Sequence, residues 1–358
     1  MIELEQIFII PPYSLKRDEK QAMITDQING LNSHHSEKCE PYRKIQKAYG
    51  AYGKKHSKIE DFPFIPVRLF KDFDLKSIAD NEVIKTLTSS GTTSSKVSRI
   101  FLDKTTSKFQ TKALSVIVQD FIGSKRLPML IVDTPNVIKD RRLFSARGAG
   151  ILGMSNFGRH HLYLLDDKLE LRLNDLLEFL EKYKNEKILI FGFTFIVWLN
   201  LYEELKKNNI EISLENAILI HSGGWKKLTD RQIDNTVFKS ELKDNFGISK
   251  IHNFYGMVEQ VGSVFMECEF GYFHSPSFSE IIIRNSDDWS LMKFGEEGVV
   301  EALSVLPYSY PGHVLLTEDI GIIYGEDDCQ CGRMGKYFKI IGRIPEAEIR
   351  GCSDTYEE

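Results

Sequence analysis

Between residues 105 and 255, short apolar runs bounded by turn residues alternate with amphipathic stretches, and this alternation constrains the chain more than any other feature of it. The pattern predicts strands over 129–132, 187–191, 217–220 and 251–255, and helices over 105–122, 169–184, 194–207 and 230–245. Strands interleaved with helices pack as a largely parallel sheet covered on its faces, so the class is α/β. After residue 280 the character changes: 280–284, 298–303 and 313–317 alternate in β fashion between glycine turns. The expected organisation is an α/β core over 1–280, a β-rich subdomain over 281–341 and a short tail over 342–358.

With 358 residues, 42% of them hydrophobic and 27% charged, the chain can bury a substantial core. A net charge of -5 leaves no basic footprint for nucleic acid or anionic membrane. Glu3 and Glu5 precede the first apolar run, which inverts the order of a secretory signal. The most apolar stretch, 188–202, falls short of the about 20 residues a bilayer span needs. Five cysteines, an odd number, argue against a disulfide framework and for a reducing cytoplasm.

Residues 88–99 read Thr-Ser-Ser-Gly-Thr-Thr-Ser-Ser-Lys-Val-Ser-Arg, a hydroxyl-rich loop around one glycine closed by two basic residues. Such a loop can cradle polyphosphate, since Gly91 permits close backbone approach while hydroxyl and N–H groups donate to phosphate oxygens. A solvated Ser/Thr loop is the plain alternative. The Gly-x-x-x-x-Gly-Lys-Ser/Thr spacing of strand–helix NTPases is absent. Downstream come His221-Ser-Gly-Gly-Trp-Lys226, Asn253-Phe-Tyr-Gly-Met-Val-Glu259, Leu316-Thr-Glu-Asp-Ile-Gly321 and Gly342-Arg343-Ile-Pro-Glu-Ala-Glu-Ile-Arg-Gly351.

In this order, over roughly residues 85–351, the motifs resemble the signature of the adenylate-forming superfamily. The Ser-Gly-Gly-Trp-Lys run and the early carboxyl end resemble most the acyl-protein synthetases, the long-chain-fatty-acid luciferin-component ligases of bacterial bioluminescence, which are related to the phenylacetate-CoA ligases. The resemblance implies the large domain of such an enzyme, with mixed sheets flanked by helices, binding nucleotide and acyl group in the core and lacking the carboxyl-terminal lid domain. It implies ATP-dependent activation of a carboxylic, here a fatty, acid as acyl-AMP. Transfer to a protein thiol would follow, with an acyl-CoA reductase or an acyl carrier as partner. By the same resemblance Ser89, Ser90, Gly91, Thr92, Thr93 and Lys96 would hold the phosphates, with Thr92 taking part in catalysis. Gly223, Gly224, Tyr255 and Gly256 would flank the adenine, Asp319 would take the ribose hydroxyls, and Arg343 would approach ribose or phosphate. Glu259 would carry magnesium, and Cys352 matches the acyl-carrying cysteine.

The loop departs from the family pattern: Ser94 stands for the second glycine and no Pro-Lys follows, so its basic residue is either Lys96 or Arg99. The superfamily's carboxyl-terminal catalytic lysine has no counterpart here. Two other readings therefore stay open, an acyl- or aryl-CoA ligase without its carboxyl-terminal domain, and a non-catalytic adenylate-binding subunit of an acyl-reductase complex. Cys268, His274, Cys329 and Cys331 offer three thiols and an imidazole, a donor set suited to a structural zinc, although separate buried thiols are the competing account. Segments of the form Cys-x-Cys-Gly-Arg also occur in the phenylacetate-CoA ligase branch. Gly148-Ala-Gly150-Ile-Leu-Gly153 matches a dinucleotide fingerprint in letters but follows no predicted strand, which points to close helix packing. His160 and His161 read as partly exposed structural residues.

Overall fold

The computed structural model describes residues 4–89, 96–139, 146–224, 233–260 and 262–344. They form two compact units, Met1–Val118 with Gly256–Arg350, and Gln119–Tyr255. In the first lie a short β1 (Ile65–Pro66) and an antiparallel hairpin of β2 (Lys85–Thr88) and β3 (Arg99–Leu102), whose last pair, Thr88 and Arg99, brackets the hydroxyl-rich loop.

The second unit is the predicted parallel sheet. Its strands are β4 (Leu127–Val132), β5 (Gly158–Tyr163), β6 (Ile188–Phe193), β7 (Ala217–Ser222) and β8 (Lys250–Tyr255), in the spatial order β5-β4-β6-β7-β8, every pairing parallel. Four expected strands appear as β4, β6, β7 and β8. Pro-Met-Leu-Ile-Val and Ile-Leu-Ile-Phe are buried along their length, as strands covered on both faces must be. The Asn235–Phe246 helix starts where Asp234 accepts the Thr236 N–H at 2.7 Å and stops at Gly247, left-handed at φ 77. The helix expected from residue 169 begins only at Leu173. Asp166 accepts the N–H groups of Lys168 and Glu170 at 2.8 and 2.9 Å, a local turn that competes with helix and leaves Leu169 at φ 64. The Gly148–Gly153 run lies within the Ala146–Ser155 helix, where a Cβ on Gly150 would sit 3.4 Å from the Phe193 ring, an ordinary contact distance. His160 and His161 are exposed on β5.

The chain then returns to the first unit with β9 (Phe265–Met266), β10 (Phe273–His274), β11 (Ser279–Arg284), β12 (Glu297–Ser304), β13 (Val314–Glu326) and β14 (Lys336–Arg343). The order β10-β14-β13-β12-β11 is antiparallel, with β1 added parallel to β13. This is the β-rich region, but it takes β1 and β10 from before residue 280, and the compact units part at 118/119 and 255/256 instead of at 280/281.

A helix at Arg17–Lys38, absent from the expected elements, packs into this unit. It buries Ile24, Ile28 and Leu31, but also Lys20, Gln27, Asn32 and His35. Each polar group is spoken for: Lys20 donates to the Ser275 carbonyl at 3.0 Å and pairs with Glu280 at 3.3 Å, both side chains fully buried. Burial works against the Glu280 charge, yet Lys20 and Lys336 outweigh it and hold that carboxyl below its usual range. Among the described residues no helix is long and apolar enough to cross a membrane.

Candidate functional site

Ligands of open parallel sheets gather at the carboxyl ends of the strands, where helix N-termini and loops converge. In the second unit that edge presents Asp133 after β4, Thr194 after β6, Ser222 ending β7 and Tyr255 ending β8. Ser222 is in register with Phe254 and its hydroxyl donates to the Phe254 carbonyl at 3.0 Å, so Gly223 and Tyr255 leave neighbouring strands side by side. Gly223 is left-handed at φ 84, and a Cβ there would stand 3.1 Å from the Phe193 ring, so the turn demands glycine. Among the described residues, nothing lies within 4 Å of a Cβ built on Gly224.

The turn is braced from behind. Thr194 Oγ1 lies 3.1 Å from the Ser222 carbonyl, to which it donates, and 2.8 Å from His221 Nδ1. Because that hydroxyl has spent its proton, His221 donates from Nδ1, and burial holds the ring neutral with its pKa pushed down to about 3. Asp133 is fully buried and receives Arg147 at both oxygens, from Nε at 2.6 Å and Nη2 at 2.5 Å. Sequence reasoning passed over this bidentate pair. Its signal was an acid directly after an apolar strand and an arginine within the basic stretch ahead of the glycine run.

The first unit holds the remaining residues. Asp319 on β13 is directly opposite Arg343 on β14, whose Nε donates to Asp319 Oδ1 at 2.8 Å. Asp319 is buried and Arg343 half-buried, so strand register, and not a flexible loop, sets the carboxylate's orientation. Glu259 is half-buried in a single turn, Val258–Gln260. Gln260 anchors that turn by donating to the carbonyls of Ala302 at 2.8 Å and Gly312 at 3.2 Å. A Cβ on Gly312 would meet the Glu259 carbonyl at 2.7 Å, so the two backbones touch only because residue 312 is glycine.

Ser89 extends the hairpin, accepting the Ser98 N–H on its hydroxyl at 2.9 Å. Lys96 pairs with Asp72 at 3.2 Å and Arg99 with Asp74 at 2.7 Å, all four exposed, which leaves the choice of basic residue open. Ser90, Gly91, Thr92, Thr93 and Cys352 lie outside the described residues. Gly256 follows Tyr255, and a Cβ on it would approach the Ser263 carbonyl at 3.2 Å.

Cys268, His274, Cys329 and Cys331 do come together in the first unit, their donor atoms all within 4.8 Å of one another. Burial raises the Cys268 and Cys329 thiols, the latter to about 12, and pushes His274 down to about 4. Cys39 is buried elsewhere, packed in a cluster with Tyr42, Phe70 and Tyr310.

The family model of acyl-protein synthetase LuxE matches residues 2–358. The long-chain-fatty-acid--luciferin-component ligase of Vibrio harveyi is 20% identical over 371 residues, covering 97% of this chain and 90% of its own. Among solved structures, 2-hydroxyisobutyryl-CoA ligase, in an open conformation with 2-HIB-AMP and CoA, matches with a TM-score of 0.68 at 14% identity, over 94% of this chain and 80% of that one. ATP-bound MatB from Rhodopseudomonas palustris matches with a TM-score of 0.50 at 14% identity, over 75% of this chain and 49% of that one. The α/β fold is that of the adenylate-forming ligases.

Proposed function

This chain belongs to the LuxE acyl-protein synthetase family, and from that premise we propose that it activates a fatty acid with ATP and passes the acyl group to a protein cysteine, its own Cys352. It is an ATP-dependent ligase. In the first step a carboxylate oxygen of the acid attacks the α-phosphorus of ATP, the bond to the bridging oxygen breaks and pyrophosphate leaves. In the second the Cys352 thiolate attacks the acyl carbonyl of the acyl-AMP, the carbon–oxygen bond to phosphate breaks and AMP leaves.

The residue chemistry suits these steps. Asp319, oriented by Arg343, accepts the ribose hydroxyls, and the Gly223–Gly224 backbone with Tyr255 flanks the base. Ser89 to Thr93, with Lys96 or Arg99, donate to the phosphates. Magnesium on Glu259 would supply positive charge against the phosphate oxygens, and a half-buried carboxylate in a pinned turn is the hard oxygen donor this ion takes.

The match to the family along residues 2–358 carries this reading. The test is ATP–pyrophosphate exchange with a panel of fatty and aromatic acids, followed by transfer of radiolabelled acid. Exchange with a fatty acid and label that survives denaturation but is released by hydroxylamine is the expected result, with label lost and exchange kept in Cys352→Ser. Release as free acyl-CoA would replace it by the CoA-ligase reading, towards which the 2-hydroxyisobutyryl-CoA ligase fold leans. Nucleotide binding without exchange for any acid would make the chain a binding subunit.

A further inference from the structure

Four side chains that the proposed acyl chemistry does not use converge from two turns. Cys268 and His274 flank the loop between β9 and β10, while Cys329 and Cys331 sit in the turn between β13 and β14. Cys268 and Cys329 are 61 residues apart in the chain, yet their sulfurs are 4.0 Å apart. Cys331 Sγ is 3.3 Å from His274 Nε2. Three of the four residues are buried and Cys331 is half-buried.

These spacings are close to the edges of a coordination tetrahedron. Zinc–sulfur bonds of about 2.3 Å and zinc–nitrogen bonds of about 2.0–2.1 Å place neighbouring sulfurs about 3.8 Å apart and sulfur about 3.6 Å from nitrogen. The Cys268–Cys329 and Cys331–His274 contacts need to move by only a few tenths of an ångström, and the other pairs, all within 4.8 Å, by about 1 Å at most. A disulfide is a poor alternative, because the three thiols are free and an S–S bond would need the sulfurs at about 2.05 Å.

Hydrophobic packing accounts for the thiols but not for the imidazole among them. Among the described residues His274 Nδ1 has no hydrogen-bond partner, and Nε2 faces a thiol, so the buried ring has given up water for very little. Its orientation is nonetheless held: it stacks on Tyr337 with centroids 5.9 Å apart and meets the Tyr13 ring edge-on at 6.0 Å. Both turns are preset. The Cys268 N–H donates to the Tyr272 carbonyl at 2.8 Å and the Gly271 N–H returns to the Cys268 carbonyl at 3.0 Å, while the Gly332 N–H closes on the Cys329 carbonyl at 2.9 Å with Gly332 left-handed. Arg333, two residues after Cys331, lies over the Tyr13 ring at 5.7 Å and pairs with Glu269 at 2.9 Å.

We propose that Cys268, His274, Cys329 and Cys331 bind one zinc ion as a closed structural site that bolts the β9–β10 loop to the β13–β14 hairpin. Binding replaces the three thiol protons, which leave to solvent, and three thiolates with a neutral imidazole bring the divalent ion to a net charge of -1, adjacent to Arg333. Soft sulfur donors in a tetrahedral set select zinc over magnesium or calcium. All four positions are filled by protein, so the ion holds structure and offers no site to substrate. The site is independent of the acyl-transfer reading, and its test needs no activity assay.

The full chain is expressed with zinc sulfate in the medium, desalted, and analysed for metal by plasma mass spectrometry and zinc-edge X-ray absorption. The expected result is one zinc per chain in a shell of three sulfurs and one nitrogen, released when a mercurial titrates the thiols and detected with a metallochromic indicator. Cys331→Ser, at the least buried ligand, should lower zinc affinity at least tenfold in competition with a chromogenic chelator, with an unchanged circular dichroism spectrum. A folded wild-type chain that retains under a tenth of a zinc per chain, a metal shell without sulfur, or undiminished affinity in Cys331→Ser would each overturn the proposal.

Discussion

Acidification should expose a cost stored at His313. Its ring is buried, its Nε2 lies 2.7 Å from Asn32 Oδ1, and the Tyr42 hydroxyl donates to that same oxygen. A carboxamide oxygen can only accept, so Nε2 carries a proton, while Nδ1 is buried with no hydrogen-bond partner among the described residues to support a second one. His35 stacks on it at 4.8 Å. Burial first, and the charge of His34 second, push the His313 pKa down to about 3, against 6.5 for an ordinary histidine. The unfolded chain thus binds the extra proton anywhere between about pH 6.5 and 3, and the stability His313 contributes is complete above pH 6.5 and is lost as pH falls. At pH 5.5 an unfolded histidine is about nine-tenths protonated while the folded one stays neutral, a penalty of about 1.4 kcal/mol; at pH 7.5 it is about 0.1 kcal/mol. The raw pH slope is not diagnostic, because Glu301, raised to about 7 by burial beside Arg284, titrates in the same window with opposite sign. The informative quantity is the difference between wild type and His313→Gln in urea unfolding at constant ionic strength. That difference should shift by about 1.3 kcal/mol in favour of the variant between pH 7.5 and 5.5. A difference independent of pH, or one that moves the other way, would refute a neutral buried His313.

Gly223→Ala places a Cβ in a left-handed turn 3.1 Å from Phe193, so it should cost about 1–2 kcal/mol in denaturant unfolding and raise the KM for ATP; a silent substitution would mean that the turn is not fixed. Asp319→Asn keeps shape but removes the charge that Arg343 binds, and a roughly tenfold rise in the KM for ATP, about 1.4 kcal/mol, is expected in pyrophosphate exchange. Glu259→Gln should abolish exchange at every magnesium concentration, whereas retained exchange would remove magnesium from that residue. Lys20→Met leaves the fully buried Glu280 with only Lys336, at 4.0 Å, and should cost about 3 kcal/mol; under 1 kcal/mol would show that Lys336 suffices.

What could be read from the residues follows a physical division. β4, β6 and the Ala-Ile-Leu-Ile start of β7 were legible because a strand covered on both faces must be apolar along its length, whatever surrounds it, whereas β8, Lys-Ile-His-Asn-Phe-Tyr, carries that signal only in Ile251, Phe254 and Tyr255. Gly223 was legible because a left-handed turn restricts residue type on the spot. The Arg17–Lys38 helix was not. Half of its buried face is polar, and what makes those residues interior is a partner far along the chain: Ser275 for Lys20, 255 residues away, and His313 for Asn32, 281 away. No periodicity records such a pairing, because the same lysine or asparagine would face solvent if the partner were missing. The Asp133–Arg147 pair escaped for the same reason at shorter range. Cys268 and Cys329 are also far apart in the chain, yet they were found. Metal-binding chemistry draws its donors from so few residue types that three cysteines and a histidine announce one another without regard to distance, whereas a buried ion pair draws on the most abundant side chains of the surface. Long-range structure is therefore readable from one sequence where the chemistry is scarce, and hidden where it is built from common charges.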